Sequence, residues 1–264
     1  MAPTRIDDTS LAGSEPHVAN DTRPKAYLLD KYHPDAVRHA ETLFRVVHPS
    51  DPEIQNWQQN AEYLLVKGSY ITATQIRSAK RLKAIGKQGV GLDKIDLEAC
   101  EKAGVKVFNT PGANATAVAE LVLALTMAVA RELGSIQTKQ HEGLSVHKET
   151  CMGQGLTSKT LGLVGMGNIS RAVAQMFHRA FDAKIVAYDP FLAKDAWQEI
   201  PHVRATSVEE VLHSSDIISI HVPSTKQTRD LIRLKELQMM KATANCNQRC
   251  SWRNHQRRRS DSGS

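Results

Sequence analysis

Short apolar runs alternate with stretches of helical spacing along most of the chain. The runs are rich in Val, Ile and Leu, and Gly, Pro, Asp or Asn follow many of them, which is typical of buried strands. They lie at residues 25–29, 44–47, 63–66, 82–85, 105–108, 160–164, 184–188 and 217–220. Strands that alternate with helices form parallel sheets with helices on their faces, so the pattern predicts an α/β fold.

One predicted helix, from Ala115 to Arg131, is apolar on nearly every face. A membrane span is the alternative, but Glu120 and Thr126 interrupt the segment, and its apolar part is shorter than the roughly 20 residues that a span needs. We therefore expect a helix that is buried in the protein or lies at a subunit interface, with a homodimer as one possibility.

The stretch from Thr160 to Ser170 combines a strand, a glycine-rich turn and the start of an amphipathic helix. We expect Gly165 and Gly167 to turn the chain tightly, so that the N–H groups at the helix start bind a pyrophosphate. The next strand ends at Asp189, about twenty positions further on, where a carboxylate binds the ribose hydroxyls of NAD and repels the 2′-phosphate of NADP. The stretch predicts NAD as the cofactor. The alternative is a generic strand-to-helix turn, and Ser170 stands where a third Gly or Ala is usual.

The composition of the 264-residue chain, with 41% hydrophobic residues, is that of a globular protein long enough for one large domain or two small ones. The net charge of +6 is concentrated in residues 245–264, whose five Arg and one Asp contribute +4, so we expect no nucleic-acid partner. Four cysteines without a disulfide framework suit a reducing cytosol, and we expect a cytoplasmic protein. Residues 1–23 have no apolar run and are interpreted as a disordered leader.

Five motifs follow one another in the body of the chain. They are Gly89–Asp96, Asn109–Asn114 with Val118–Glu120, Leu161–Ser170, Tyr188–Pro190, and His221–Thr225 with Thr228 and Leu231–Ile232. In this order they make residues 24–244 resemble the D-isomer-specific 2-hydroxyacid dehydrogenases, although Ser224 stands where Leu is usual. The resemblance implies a flavodoxin-like substrate domain at residues 24–110 and an NAD-binding Rossmann domain at residues 111–244.

The resemblance also implies site residues. The backbone at Val90 and Gly91 would hold a substrate carboxylate, with Asn114 nearby, although Asn114 serves equally well as a capping residue of the long helix. His221 would lie on the cofactor side of its strand end and would not be the catalytic acid. The residues implied to line the NAD site are Gly165, Gly167, Asn168, Ile169, Asp189, Val222, Pro223 and Thr228.

The implied activity is hydride transfer between NAD and a small-molecule 2-hydroxy or 2-keto acid. It needs an Arg for the substrate, a His that moves the proton and a Glu that raises the pKa of that His. In the family all three lie beyond the position of Ala244, and none has a matching position here. No catalytic residue is assigned, and we expect an inactive chain; the alternative is a non-enzymatic NAD-binding or interaction module.

Residues 245–264 have no hydrophobic period and are interpreted as a disordered tail. Reading each codon from Asn245 onward one base later is compatible at every position with IVINAARGGIINEDDLTRAL, which has the pattern of the family's next strand and Arg motif. The hypothesis is a frame shift. A zinc site at Cys246, Cys250 and His255 and a basic patch at residues 257–259 are weak alternatives.

The Rossmann sheet is therefore expected to be incomplete after its third strand, Ile217–Ile220. In that sheet the fourth strand pairs beside the first, so Thr160–Val164 would be left as an exposed apolar edge. We expect a poorly soluble or partly molten product, because a whole domain is stable by only about 5–15 kcal/mol.

Overall fold

A computed structural model describes residues 22–225 and 227–248 of the chain. It confirms the α/β class, with two five-stranded sheets. Contacts divide the described chain into two compact units, one of residues 22–86 with 97–107 and the other of residues 87–96 with 108–248. The predicted leader lies outside the described residues except for Thr22 and Arg23.

The strands of the first sheet are β1 (Lys25–Leu28), β2 (Arg45–Val47), β3 (Tyr63–Val66), β4 (Ala84–Lys87) and β5 (Lys106–Asn109). They lie in the order β2-β1-β3-β4-β5, and β1 pairs in parallel with both of its neighbours. This order is that of flavodoxin-like folds, as the resemblance implied. The most buried strand of this sheet is β1, and Tyr27 of β1 and Leu64 of β3 are completely buried. The helices of this unit are α1 (Pro34–Leu43), α2 (Trp57–Asn60), α3 (Ala73–Ser78) and α4 (Leu97–Lys102).

Helix α5 (Ala115–Ala130) buries only one stripe of its apolar surface. That stripe contains Ala119, Val122 and Thr126, whereas Leu125 and Val129 are exposed. The next helix, α6 (Leu133–His141), buries no residue. Among the described residues, no helix has both the length and the apolar character required to cross a membrane.

The strands of the second sheet are β6 (Thr160–Val164), β7 (Lys184–Tyr188), β8 (Val203–Arg204), β9 (Ile217–Ile220) and β10 (Asn245–Gln248). They lie in the order β10-β9-β6-β7-β8, and all neighbouring strands run parallel. Read in chain order, this is the 3-2-1-4-5 arrangement of a Rossmann fold. Its core forms where β6 packs against Phe177 of the following helix and Val211 of the next one. The helices around this sheet are α7 (Asn168–Phe181), α8 (Val208–Ser214) and α9 (Leu234–Gln238).

The expectation that β6 is an exposed edge is wrong. The strand lies between β7 and β9, with Leu161 opposite Ile217, and Leu161 and Leu163 are completely buried. The two-residue strand β8 is the third strand of the fold, so β9 is the fourth and takes the place beside the first. The sheet is thus not incomplete after Ile217–Ile220, and the instability expected from an uncovered β6 loses its basis.

The expectation of disorder from Asn245 onward is wrong for the first four residues of the tail. Asn245–Gln248 forms β10, and the N–H of Asn245 donates to the carbonyl of Asp216 at 2.9 Å. Ladder hydrogen bonds come from the main chain, so a polar sequence can still form a strand beside β9. Cys246 packs against the cluster around Ile218 and Ile220. The rest of the tail lies outside the described residues, including Cys250 and His255; the described part contains no group of His, Cys, Asp and Glu that could hold a metal ion.

Candidate functional site

A tight turn joins β6 to α7 at the carboxyl edge of the second sheet. Gly165 has a φ of +89°, and its N–H donates to the carbonyl of Tyr188 at 2.8 Å. A Cβ at this position would lie 2.5 Å from the carbonyl oxygen of His221 at the end of β9. Only glycine fits, because both the left-handed backbone and the approach of β9 exclude a side chain.

Gly167 has a different role from the one expected. Its φ is −74°, which any residue adopts, so the expectation that it turns the chain tightly is wrong. A Cβ on Gly167 would meet no atom within 4 Å. The glycine leaves open space in front of α7, whose first N–H groups lack helical partners and carry the positive end of the helix dipole. This space and these donors suit a pyrophosphate.

The carboxylate of Asp189, just after β7, accepts three main-chain hydrogen bonds. One oxygen accepts from the N–H of Met166 at 2.9 Å, inside the glycine turn. The other accepts from the N–H groups of Phe191 at 2.9 Å and Leu192 at 3.2 Å. The carboxylate is therefore fixed beside the glycine turn. This is the position from which we expect it to select NAD over NADP.

A buried pair lies at the end of β9. The Nε2 atom of His221 is 2.8 Å from the hydroxyl of Ser219, which is fully buried, and the Nδ1 atom of His221 has no partner among the described residues. Burial lowers the pKa of His221 to about 4, so the ring is neutral near pH 7. A buried, neutral imidazole agrees with the expectation that His221 is not the catalytic acid.

The loop after β9 is held by the side chain of Thr228. Its hydroxyl donates to the carbonyl of Pro223 and accepts from the N–H of Thr225 at 2.8 Å. Val222 contacts the glycine turn, since its Cγ1 atom would lie 3.0 Å from a Cβ on Gly165. A cavity of about 420 Å³ adjoins this edge of the sheet, lined among others by Tyr188, Ser207, Val208, Gln227 and Leu231.

The candidate substrate residues lie in the same unit as the glycine turn. Val90 is 46% exposed, and its carbonyl accepts from the side-chain amide of Asn109 at 2.9 Å. Gly91 follows it, and a Cβ there would lie 2.9 Å from a carboxylate oxygen of Asp93. Asn114 precedes α5 but makes no capping hydrogen bond through its side chain, so the capping alternative is not supported.

One contact joins the segment before α5 to the start of α7. Gly112 has a φ of +77°, and a Cβ there would lie 2.9 Å from the side-chain nitrogen of Asn168. Asn168 is the first residue of α7, beside Ile169. The second unit therefore brings the Asn109–Asn114 motif next to the glycine turn.

Comparison with known proteins agrees with this geometry. Residues 123–246 match the D-isomer specific 2-hydroxyacid dehydrogenase, NAD binding domain. A glyoxylate reductase of Thermococcus litoralis is 31% identical over 235 residues, which are 84% of this chain and 70% of that protein. The chain belongs to the D-isomer-specific 2-hydroxyacid dehydrogenase family.

Other relatives within this dehydrogenase family are similar at the same level. A hydroxypyruvate reductase of Thermotoga maritima is 37% identical over 195 residues, covering 74% of this chain and 62% of that protein. A D-lactate dehydrogenase of Aquifex aeolicus, solved with NAD and lactic acid, superposes with a TM-score of 0.73 at 26% identity, covering 85% of this chain and 68% of that one. The chain spans between 32% and 62% of the length of several curated relatives.

The matched residues 123–246 include the positions of all eight candidate cofactor residues, and NAD is the cofactor of the matched domain. The match ends at residue 246, within β10.

Sequence reasoning missed two features of the site in this 2-hydroxyacid dehydrogenase chain. One is the Ser219–His221 pair, which alternation along a strand could have suggested because residues two apart share a face. The other is Arg204, which binds main-chain carbonyls of the loop after Asp189 and has no local sequence signal.

Proposed function

We propose that this chain binds NAD at the carboxyl edge of the second sheet, as the coenzyme half of a 2-hydroxyacid dehydrogenase. The observation that carries the proposal is the hydrogen bond from Met166 to Asp189, because it ties the acidic residue to the glycine turn. A dinucleotide needs both elements side by side, one for its pyrophosphate and one for its ribose.

The candidate residues divide between the two parts of the dinucleotide. Gly165, Gly167, Asn168 and Ile169 would receive the pyrophosphate at the start of α7, where space and N–H donors are available. Asp189 would bind the adenosine ribose. Val222, Pro223 and Thr228 would form the opposite wall on the loop after β9. Bound NAD would supply the nicotinamide ring that accepts or donates hydride.

We propose a 2-hydroxy or 2-keto acid as the substrate class. The relatives named for glyoxylate, hydroxypyruvate and lactate share this chemistry, a carboxylate next to a carbonyl or hydroxyl carbon. Val90 and Gly91 are both exposed residues, and the side chain of Asn114 has no capping bond that would occupy it.

We further propose that the 264-residue chain binds coenzyme without turnover. The family's Arg, Glu and His motifs would follow Ala244, and no stretch of residues 245–264 matches them, since Arg249 and His255 are present by residue type only. Without a group that transfers the proton, hydride transfer loses about 10²–10⁴-fold in rate.

Titration of the purified chain with NAD and NADP, followed by assays with NADH and glyoxylate, hydroxypyruvate or pyruvate, tests both proposals. We expect saturable NAD binding, weaker NADP binding and no turnover above background. Failure to bind NAD contradicts the coenzyme proposal. Turnover that Asp189→Ala abolishes contradicts the second proposal, because the chain would then carry its own proton-transfer group.

A non-enzymatic NAD-binding or interaction module is the second candidate. The fixed position of Asp189, together with the lack of matching proton-transfer residues, favours it. A protein partner whose affinity changes with NAD, in the absence of turnover, would distinguish this module from a dehydrogenase.

We also propose a homodimer through α5. Five large apolar side chains are exposed between residues 125 and 152, namely Leu125, Val129, Leu133, Leu144 and Met152. Exposed apolar surface in one segment of this kind is typical of a subunit interface, and a second copy presents the same surface. Light scattering should give twice the chain mass for the wild type and a monomer for Leu125→Asp with Val129→Asp. Leu43→Asp, at an exposed Leu on α1, is the matched control and should remain dimeric.

A further inference from the structure

One arginine closes the loop that follows β7. Arg204, in the edge strand β8, lies opposite Ala187 of β7. Its Nη2 atom donates to the carbonyl of Asp189 at 2.5 Å and to that of Leu192 at 2.9 Å, and Nη1 donates to the carbonyl of Ala193 at 3.3 Å. A single planar guanidinium therefore gathers three carbonyls from five consecutive residues, which an ammonium group cannot reproduce.

The same loop is held from its other side by the carboxylate of Asp189. That side chain accepts from the N–H groups of Phe191 and Leu192, and it also accepts from Met166 in the glycine turn. The N–H groups of Phe191 and Leu192 thus donate to the side chain of Asp189, while carbonyls of the same loop accept from Arg204. Residues 189–193 have no regular secondary structure, and Phe191 is 95% exposed, so the side chains of Asp189 and Arg204 hold this loop through their polar contacts.

We propose that Arg204 is a positioning residue for coenzyme selection. By holding the carbonyls of residues 189–193, it keeps the Asp189 carboxylate beside the glycine turn, where that carboxylate accepts the ribose hydroxyls of NAD and excludes the 2′-phosphate of NADP. The inference rests on the proposed function, since it assigns a role in choosing between the two coenzymes.

A different role for Arg204 predicts the opposite effect. An arginine near the end of the second strand can bind the 2′-phosphate of NADP directly. If Arg204 did so, its removal would weaken NADP binding and increase the preference for NAD. If Arg204 acts through the loop, its removal frees Asp189 and decreases that preference. The sign of the change therefore separates the two roles.

The test uses Arg204→Lys and Arg204→Ala in the full chain, with NAD and NADP affinities measured by calorimetry. Lysine keeps the charge but lacks the planar fork that spans the three carbonyls, so we expect both variants to lower the ratio of the NADP to the NAD dissociation constant by about tenfold, which is a change of about 1.4 kcal/mol. Arg179→Lys, at an exposed arginine on α7, is the matched control and should leave the ratio unchanged. A general loss of protein stability would weaken the binding of both coenzymes alike and would not change the ratio of their dissociation constants.

A higher ratio in Arg204→Ala, or a wild-type ratio in Arg204→Lys, would overturn the proposal. Hydrogen exchange at the amides of Phe191 and Leu192 provides a readout that needs no coenzyme. We expect faster exchange at both amides in Arg204→Lys than in the wild type. If the wild type binds neither coenzyme, the proposed function fails on its own, and unchanged exchange rates would then overturn the positioning role separately.

Discussion

The main-chain N–H of Met166 donates a hydrogen bond to a carboxylate oxygen of Asp189 over 2.9 Å, although the two residues are 23 positions apart in the chain. The bond connects the glycine turn after β6 to the end of the neighbouring strand β7. The carboxylate that is expected to bind a ribose is therefore also a structural link within the ligand-free fold. Substitutions at Asp189 should separate these two roles.

The first prediction concerns the charge of Asp189. Asp189→Asn keeps an oxygen that can accept from main-chain N–H groups but removes the negative charge that repels a 2′-phosphate. We expect NAD affinity to fall and NADP affinity to rise, changing their ratio by about tenfold. Coenzyme titration measures the ratio. Asp195→Asn, at an exposed carboxylate after the same loop, is the control, and an equal change there would refute a specific role for Asp189.

The second prediction compares the two glycines of the turn. Gly165→Ala should destabilise the second unit by about 2 kcal/mol or more, because the left-handed backbone alone costs about 1–2 kcal/mol and the new methyl group would contact the carbonyl of His221. Gly167→Ala should leave stability within about 0.5 kcal/mol, since its Cβ meets open space. Urea unfolding of both variants measures these differences.

The same pair separates folding from binding. Although Gly167→Ala folds normally, we expect it to bind NAD less tightly, because its methyl group occupies the space in front of α7 that the pyrophosphate needs. Normal NAD affinity in Gly167→Ala would mean that the coenzyme does not approach the turn at this residue.

Patterns that repeat over several residues were sufficient to predict much of the fold. The strands β6, β7 and β9 were predicted within their observed bounds, and α5 ends at Ala130, one residue before the predicted end. Each of these elements is buried along several consecutive or periodic positions, so hydrophobic spacing reports it directly. The glycine turn was predicted for a different reason. Gly165 adopts a backbone conformation that other residues avoid, so the residue type itself indicates the turn.

Features imposed by neighbouring strands could not be predicted in this way. Strand β8 has two residues, too few to show alternation, and missing it shifted the count of strands so that β6 was expected at an edge. Strand β10 has a polar sequence and is held by the main chain of β9. The contacts of Arg204 join a side chain to carbonyls more than ten residues away, which no local pattern encodes.

The third prediction concerns Ser170, which stands near the start of α7 where Gly or Ala is usual. Ser170 is completely buried, and its hydroxyl has no hydrogen-bond partner among the described residues. Ser170→Ala removes the unpaired hydroxyl and favours the helix, so we expect the free energy of unfolding to rise by about 1 kcal/mol. Ser214→Ala in α8 is the control, because that hydroxyl donates to the carbonyl of Glu210 at 2.7 Å and its loss should not stabilise the protein. Lower stability of Ser170→Ala would indicate a partner for this hydroxyl.

The fourth prediction concerns the pH dependence of stability at His221. Burial lowers the pKa of this imidazole from its usual 6.5 to about 4, so between these values the unfolded chain binds a proton that the folded chain does not. The contribution of His221 to the free energy of unfolding is therefore present above pH 6.5 and is lost as the pH falls toward 4. Between pH 7 and pH 4 this linkage amounts to about 3 kcal/mol.

The glutamine of His221→Gln cannot titrate in this range, and its amide can still contact the hydroxyl of Ser219. The variant therefore separates the pH dependence of stability due to His221 from the pH dependence due to the acidic groups. We expect urea unfolding from pH 7.5 to pH 4.5 to show a smaller loss of stability in His221→Gln than in the wild type. His213→Gln, at an exposed histidine on α8, is the control for the loss of an imidazole at the surface and should follow the wild type. Parallel curves for the wild type and His221→Gln would show that the imidazole accepts a proton in the folded protein. In that case the ring would have a charged form available at the edge of the coenzyme site, and its exclusion from proton transfer would no longer hold.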